Sequence, residues 1–242
     1  MGPRLGWLKQ AGVEVGTVLD VGVQAGTEFL IQCFPDRPHV LFEPVEPYFE
    51  GIRQRYRNVE HRLVEVALSD APGTVWLNCE SRDGSGLITH SGLAPTQATK
   101  AERPDLVISK PVKRMTLDEA LADQTDARPY LLKVDVDGHE SQILRGAQRT
   151  LAHASIAIVE ATTTTLLERA GILADAGFML LDIVDLCYYH EVLSQVDLIF
   201  VHRDWVARCP DLRPWMTKTF AWSAWAPLAH HDALVAASQQ AR

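Results

Sequence analysis

The stretch Thr17-Val18-Leu19-Asp20-Val21-Gly22-Val23-Gln24-Ala25-Gly26 decides the fold. Thr17 to Val21 reads as a short buried strand, and a glycine ends it. Gly22 lets the backbone turn tightly and approach a ligand. Gly26 lets the following helix, about residues 26–34, pack closely. A second run, His39-Val40-Leu41-Phe42-Glu43, is a strand stopped by Pro44, and Pro47 suits the first turn of a helix running towards Arg57. Strand, glycine turn, helix, strand is the opening unit of a doubly wound α/β domain.

The rest of the chain continues that alternation. Arg62–Leu68 reads as a third strand, and Gly73–Asn78 as an added one after the Asp70-Ala71-Pro72-Gly73 turn. Residues 80–110 carry Gly, Ser, Thr and Pro without sustained periodicity and read as a long loop. Thr116 and Glu119 form a capping box at the start of a short helix. Tyr130–Asp135 is a strand, and the helix expected over 138–151 sets Ile143, Leu144, Ala147 and Leu151 on one face. Ile156–Glu160 is a further strand, and the helix 166–176 closes at Gly177. Phe178–Val184 and Val196–Val201 pair antiparallel. The expectation is a mostly parallel sheet with an antiparallel last strand, the ligand lying at the carboxyl ends of the parallel strands. It occupies 17–204, after a lead-in (1–16) and before a tryptophan-rich extension (205–242).

Bulk properties narrow the classes. The 242 residues carry a net charge of −8, with 47% hydrophobic and 22% charged residues. Such a chain buries a sizeable core and repels phosphate backbones and anionic lipid, so neither nucleic acid nor membrane is an expected partner. No apolar run approaches the roughly 18 residues of a membrane span. Cys33, Cys79, Cys187 and Cys209 lie far apart without zinc-site spacing and fit a reducing, cytoplasmic setting.

The glycine turn selects among ligands. Dinucleotide sites use Gly-x-Gly-x-x-Gly for a pyrophosphate, and here Gln24 stands where the second glycine falls. Asp20 before the turn suits a cofactor with a cationic amino group, which S-adenosylmethionine has. Glu43, at the tip of the second strand, is placed to accept hydrogen bonds from ribose hydroxyls. A nicotinamide oxidoreductase and a non-catalytic S-adenosylmethionine-binding protein are the alternatives. The absence of a Tyr-x-x-x-Lys dyad counts against the first and the number of intact carboxylates against the second.

These residues, with Phe42-Glu43-Pro44, Ala67-Leu68-Ser69-Asp70, Gly73, Gly84-Ser85-Gly86-Leu87, Thr116-Leu117-Asp118, Lys133-Val134-Asp135-Val136-Asp137-Gly138-His139-Glu140 and Leu144-Arg145-Gly146-Ala147, resemble the FkbM-type methyltransferases over about Val18–Val201. The resemblance implies a class I methyltransferase sheet and methyl transfer from S-adenosylmethionine to a hydroxyl, often on a sugar or glycosylated metabolite. It sets Asp20, Gly22, Gln24, Gly26, Glu43, Ala67 and Ser85 around the cofactor. Gln24 replaces a usual Asn, and Ser85-Gly86 a usual Ser-Ser.

A sugar hydroxyl needs a positioned base or a divalent cation to become a nucleophile. If the strands ending in Asp135 and Glu160 are neighbours, the two carboxylates face one cavity about 5 Å apart. They are then candidate Mg²⁺ ligands, and Asp137 is either a third ligand or the cap of the helix at Gly138. Catalysis is assigned to Asp135 and to His139 as general base, the imidazole alternatively fixing its own loop. Lys133 sits inside a strand and needs a partner if buried. His190 is either a substrate contact or a solvated loop residue. Trp205, Trp215, Trp222 and Trp225 cover substrate, pack within the chain or build an interface between copies.

Overall fold

In the computed structural model of the chain, residues 1–212 are described. The elements run α1 (Gly2–Gln10), β1 (Thr17–Val21), α2 (Glu28–Cys33), β2 (His39–Phe42), a 3-10 turn at Glu46–Tyr48, α3 (Phe49–Arg55), β3 (His61–Val64), β4 (Ala67–Leu68), β5 (Gly73–Glu80), β6 (His90–Ala94) and β7 (Leu106–Met115). They continue as α4 (Leu117–Ala120), β8 (Tyr130–Val134), α5 (Glu140–Arg145), α6 (Gln148–Leu151), β9 (Ala154–Thr162), α7 (Leu166–Asp175), β10 (Phe178–Tyr189), β11 (Val192–His202) and α8 (Arg203–Arg208).

Among the described residues one seven-stranded sheet has the order β10-β11-β9-β8-β1-β2-β3. β1 pairs parallel with β2 and β8, β2 with β3, and β8 with β9; β11 runs antiparallel to both neighbours. Strand alternation sends successive β1 residues to opposite faces. Leu19 and Val21 join the cluster that buries Ile143, Leu144, Leu151 and Leu173, on the α4–α7 side. Val18 joins the cluster of Leu5, Leu8, Leu30, Ile158 and Ile199, on the side of α1 and α2. Both faces are therefore covered by helices, as the doubly wound expectation requires.

The boundaries drawn at 16/17 and 204/205 are not breaks in packing. Leu5 and Leu8 of α1, and Val206, Cys209 and Leu212 beyond β11, are buried in the same cluster as the sheet. Trp205 packs partly buried against it. Trp215, Trp222 and Trp225 lie outside the described residues.

The long loop expected over 80–110 is a correction. β5, β6 and β7 form a second sheet with β4, in the order β4-β7-β5-β6. Its pattern is hard to read because β7 (Leu-Val-Ile-Ser-Lys-Pro-Val-Lys-Arg-Met) mixes charges and a proline into the strand. Pro111 pairs across from Trp76 on the β5 side, while β4 reaches only Arg114 and Met115, so the other edge at Pro111 is open and no ladder donor is missed there.

The helix expected over 138–151 is broken into α5 and α6. The Gly146 carbonyl accepts from the Asp118 amide at 3.1 Å. Asp118 in turn caps α6, accepting from the amides of Arg149 and Thr150, both at 2.8 Å. Gly146 also lies against the Ser69 backbone, where a Cβ would sit 2.2 Å from the Ser69 oxygen. The contact locks α5 onto the end of β4. The capping box at Thr116 and Glu119 forms as the sequence specifies.

Candidate active site

A cavity of about 400 Å³ opens at the carboxyl ends of β1, β2, β8 and β9. The size suits one small cofactor. On its wall the structure brings together Gly22, Gln24, Glu43, Ala67, Asp135, Asp137, His139 and Glu160.

The floor is the turn after β1. Gly22 has φ +81° and a Cβ there would lie 1.8 Å from the Asp135 carbonyl oxygen, so only glycine lets β1 and β8 end this close together. Gln24 adopts φ +49°, the left-handed conformation in which the dinucleotide fingerprint would use glycine. Its amide donates to Glu43 Oε2 at 2.8 Å, which holds that conformation in place. Glu43 Oε1 accepts from the Val45 amide at 2.9 Å. Burial pushes the Glu43 carboxyl above its ordinary range, with the two amides pulling it back. Each oxygen keeps a second lone pair for a hydroxyl donor.

Asp20 does not reach this cavity, which corrects the direct contact expected with a cofactor amino group. It is fully buried beneath the turn, accepting from the Tyr56 hydroxyl at 3.1 Å and facing Lys133 Nζ at 3.4 Å. Lys133 is itself buried, contacts Asp135 at 3.1 Å and donates to the Gly22 carbonyl at 3.1 Å. Both carboxylates raise the Lys133 pKa against the opposing effect of burial. Asp20 thus supports the glycine turn through a lysine, a buried charge that has found its partners. Gly26 packs on the Arg55 side chain, off the cavity wall. Ser85 lies in an exposed turn, its hydroxyl donating to Asp83 at 2.7 Å, and also lies off the wall. His190 sits exposed at the tip of the β10–β11 hairpin.

Two chemically distinct ends face the cavity. At one, Asp135 follows β8 and Glu160 lies in the neighbouring β9, with Asp197 of β11 directly across from Glu160. Gln195 donates to Glu160. Burial first, then the charges of Asp135 and Glu140, push the Glu160 carboxyl up to about 8. Burial and the charges of Asp135 and Asp185 push Asp197 up to about 6.

At the other end His139 meets Ser69, which follows β4, with Nε2 at 2.9 Å from the Ser69 hydroxyl. That hydroxyl donates to Asp70 Oδ1 at 3.1 Å, so the imidazole supplies the proton of the Ser69 contact through Nε2 and leaves Nδ1 bare. Burial holds the His139 pKa below its ordinary value. Leu68 and Ile143, on either side of this contact, pack into the α4–α7 cluster, whereas Glu160 shares its strand face with Ile158 in the opposite one.

Asp137 caps no helix. Its Oδ2 accepts from the Ser91 amide of β6 at 2.7 Å, tying the loop after β8 to the second sheet. The loop's hydrogen bonds come instead from Glu140, whose Oε1 accepts from the amides of Val136 at 3.2 Å and Gly138 at 3.4 Å. Glu140 pairs with Arg169 of α7, also buried, and Arg169 donates to the Glu160 carbonyl at 2.6 Å. Arg169 holds both sides of the carboxylate end, and its sequence position in a helix of mixed polarity gives no sign of it. The expected Mg²⁺ set of Asp135, Glu160 and Asp137 is not assembled. Among the described residues no three His, Cys, Asp or Glu side chains are placed to hold a metal; Asp137 instead accepts from the Ser91 amide and Glu160 from Gln195.

A doubly wound sheet with one reversed strand, a glycine turn at β1 and an acidic residue after β2 defines the Rossmann-like class I methyltransferase fold. Residues 20–185, more than half of the chain, match the Methyltransferase FkbM domain. The chain belongs to the FkbM methyltransferase family.

The hexuronic acid methyltransferase AglP of Haloferax volcanii is 29% identical over 154 residues, 63% of this chain. The chain spans 59% of the length of that curated relative. Among solved structures, a precorrin-6y C5,15-methyltransferase of Geobacter metallireducens matches with a TM-score of 0.45 at 14% identity, covering 83% of this chain and 87% of that one. The N-methyltransferase NodS of Bradyrhizobium japonicum matches with 0.45 at 9% identity, covering 83% and 93%.

Proposed function

We propose that the chain methylates a hydroxyl of a sugar or glycosylated metabolite, with Asp135 and Glu160 receiving the acceptor proton. The observation that carries this reading is the carboxylate pair at neighbouring strands on the cofactor cavity wall. The acceptor oxygen attacks the methyl carbon of the sulfonium in line, the carbon–sulfur bond breaks, and S-adenosylhomocysteine leaves as the neutral thioether. The hydroxyl proton passes to a carboxylate of the pair. Carboxylates also accept hydrogen bonds from adjacent hydroxyls and so orient a polyol. A relative that acts on a hexuronic acid supports a sugar acceptor. Because the acidic residues do not form a metal set, no step runs through a divalent cation. Four cysteines without a disulfide among them fit a cytoplasmic setting, and no described helix is long and apolar enough to cross a membrane.

The reading is tested by incubating the enzyme with methyl-labelled S-adenosylmethionine and a panel of glycosides. Label in an ether-linked methyl group supports it. Label only on nitrogen acceptors, or none on any glycoside, overturns it.

A further inference from the structure

A cavity sized for one cofactor leaves the acceptor to be housed next door. A second cavity of about 260 Å³ adjoins the first and shares His90, Ser91, Gly92, Leu93, Asp137 and His139 with it. Its far side is built from the second sheet and the loops that leave it, and carries Asn78, Glu80, Arg82 and Arg103.

The charges on that far side do not balance. Arg82 Nε donates to Glu80 Oε2 at 3.0 Å, and Arg103 Nη1 donates to Glu80 Oε1 at 2.5 Å. Glu80 is mostly covered, its side chain 11% exposed, while the two arginine side chains remain 55% and 47% exposed. One carboxylate therefore serves two guanidiniums, and most of the five N–H groups on each are left for another acceptor. The remaining acidic lining residue, Asp137, lies on the shared wall with Ser91 as its partner. A fixed pair of guanidinium forks matches a planar carboxylate better than a neutral hydroxyl.

We propose that the second cavity is an acceptor subsite in which Arg82 and Arg103 bind a carboxylate of the substrate, making the acceptor an acidic sugar whose hydroxyl enters the cofactor cavity. The assignment rests on the hydroxyl-methylation reading for the direction of the substrate, and on the cavity and its arginines for the charge. The carboxylate docks at a distance from Asp135 and Glu160, which would repel it. The hydroxyl to be methylated meets those same carboxylates, which attract it.

The test pairs calorimetry, which needs no turnover, with an assay of methyl transfer from labelled S-adenosylmethionine to the same glycosides. The methyl glycosides of glucuronic and galacturonic acid, those of glucose and galactose, and glucose 6-phosphate are titrated into enzyme saturated with S-adenosylhomocysteine. The uronides bind at least about tenfold more tightly than their neutral counterparts, and Arg82→Gln, Arg103→Gln and the double variant erase the preference. Unchanged S-adenosylhomocysteine affinity in each variant shows the fold intact. The exposed single change Arg82→Gln serves alone if Arg103→Gln does not fold. Equal binding of acidic and neutral glycosides, or a preference that survives both substitutions, overturns the subsite. Arginine-dependent binding of the sugar phosphate alone overturns the carboxylate assignment. A methyl group released by mild alkali would be an ester, placing the carboxylate at the methyl donor and overturning the orientation. Arginine-dependent uronide binding without methyl transfer leaves the subsite standing and removes the hydroxyl reading instead.

Discussion

The two ends of the cofactor cavity are built from similar side chains and treat protons oppositely. At the β8–β9 end the carboxylates of Asp135 and Glu160 outnumber the cation beneath them, Lys133, and burial holds Glu160 up to about 8. At the β4–α5 end an imidazole rests on a serine hydroxyl that is itself held by Asp70, and burial keeps it in the neutral form. The first end carries surplus negative charge that a proton relieves. The second is a neutral hydrogen-bond chain that carries no surplus charge at the imidazole, its Nε2 held by Ser69. The difference teaches that a base is better located by the electrostatics around it than by residue type, and under the proposed function it favours the carboxylate pair over His139 as proton acceptor.

Glu160→Gln gives the largest expected effect. The amide keeps the side chain's size and hydrogen bonding but cannot take a proton, so kcat falls by about 10²–10⁴ while S-adenosylmethionine affinity holds. The pH dependence follows from the direction of the shift. Below about 8 the pair already holds a proton, so kcat/KM of the wild type rises with pH through about 8 and levels above it. Asp135→Asn removes a charge that raises Glu160, and the rising limb moves to lower pH. A limb that stays in place in both variants, with kcat barely changed, would dissolve the distinction between the two ends.

The carboxylate end was partly legible in the sequence because strand ends are. Thr17–Val21, Tyr130–Val134 and Ile156–Glu160 are runs that can only be strands buried on both faces, and their order fixes which residues reach the rim. The second sheet was not legible. Lys110, Pro111 and Lys113 break the apolar alternation of β7, and β6 (His-Ser-Gly-Leu-Ala) has almost no strand propensity, so pairing across the chain rather than local preference makes these strands. For the same reason Ser91, the partner of Asp137, was invisible. Asp20 and Ser85 were misplaced because a motif names residues without saying which way each side chain points. Lys133 shows the converse, since burial alone implied its partners.

The ribose side of the cavity sharpens the comparison from outside it. Glu43→Ala weakens S-adenosylmethionine binding more than about tenfold, because it removes charge-assisted acceptors of roughly 1.5–3 kcal/mol each and frees the Gln24 turn. Affinity measured by titration calorimetry, with fold checked by circular dichroism, reads this directly. Since neither end of the cavity is touched, the position of the pH limb stays where it is. Unchanged affinity in a folded Glu43→Ala would take the residue out of the cofactor site.

His139→Gln is expected to cost less than about tenfold in kcat, because glutamine can still donate to Ser69 and the pair at the other end still takes the proton. Steady-state kinetics across pH decide the matter. A loss of about 10² or more, with the wild-type limb abolished, would return the role of base to the imidazole.

The smallest expected effect is that of chelation. A cation at Asp135 and Glu160 would relieve the same repulsion that the shared proton relieves, and would lower the pKa of a bound hydroxyl in addition. The two remedies exclude each other at one pair, because a metal ligand must be deprotonated. Asp137 accepts from the Ser91 amide and Glu160 from Gln195, and among the described residues no third carboxylate is placed with the pair to complete a hard-oxygen set. Turnover after exhaustive dialysis against EDTA should therefore stay within about twofold of the untreated enzyme at every pH, with the limb still near 8. The pH axis makes the measurement decisive. Metal binding would displace the proton and pull the limb down, so a wild-type limb below 7 that moves up on chelation, together with loss of turnover restored by Mg²⁺, would show that a cation rather than a proton occupies the carboxylate end.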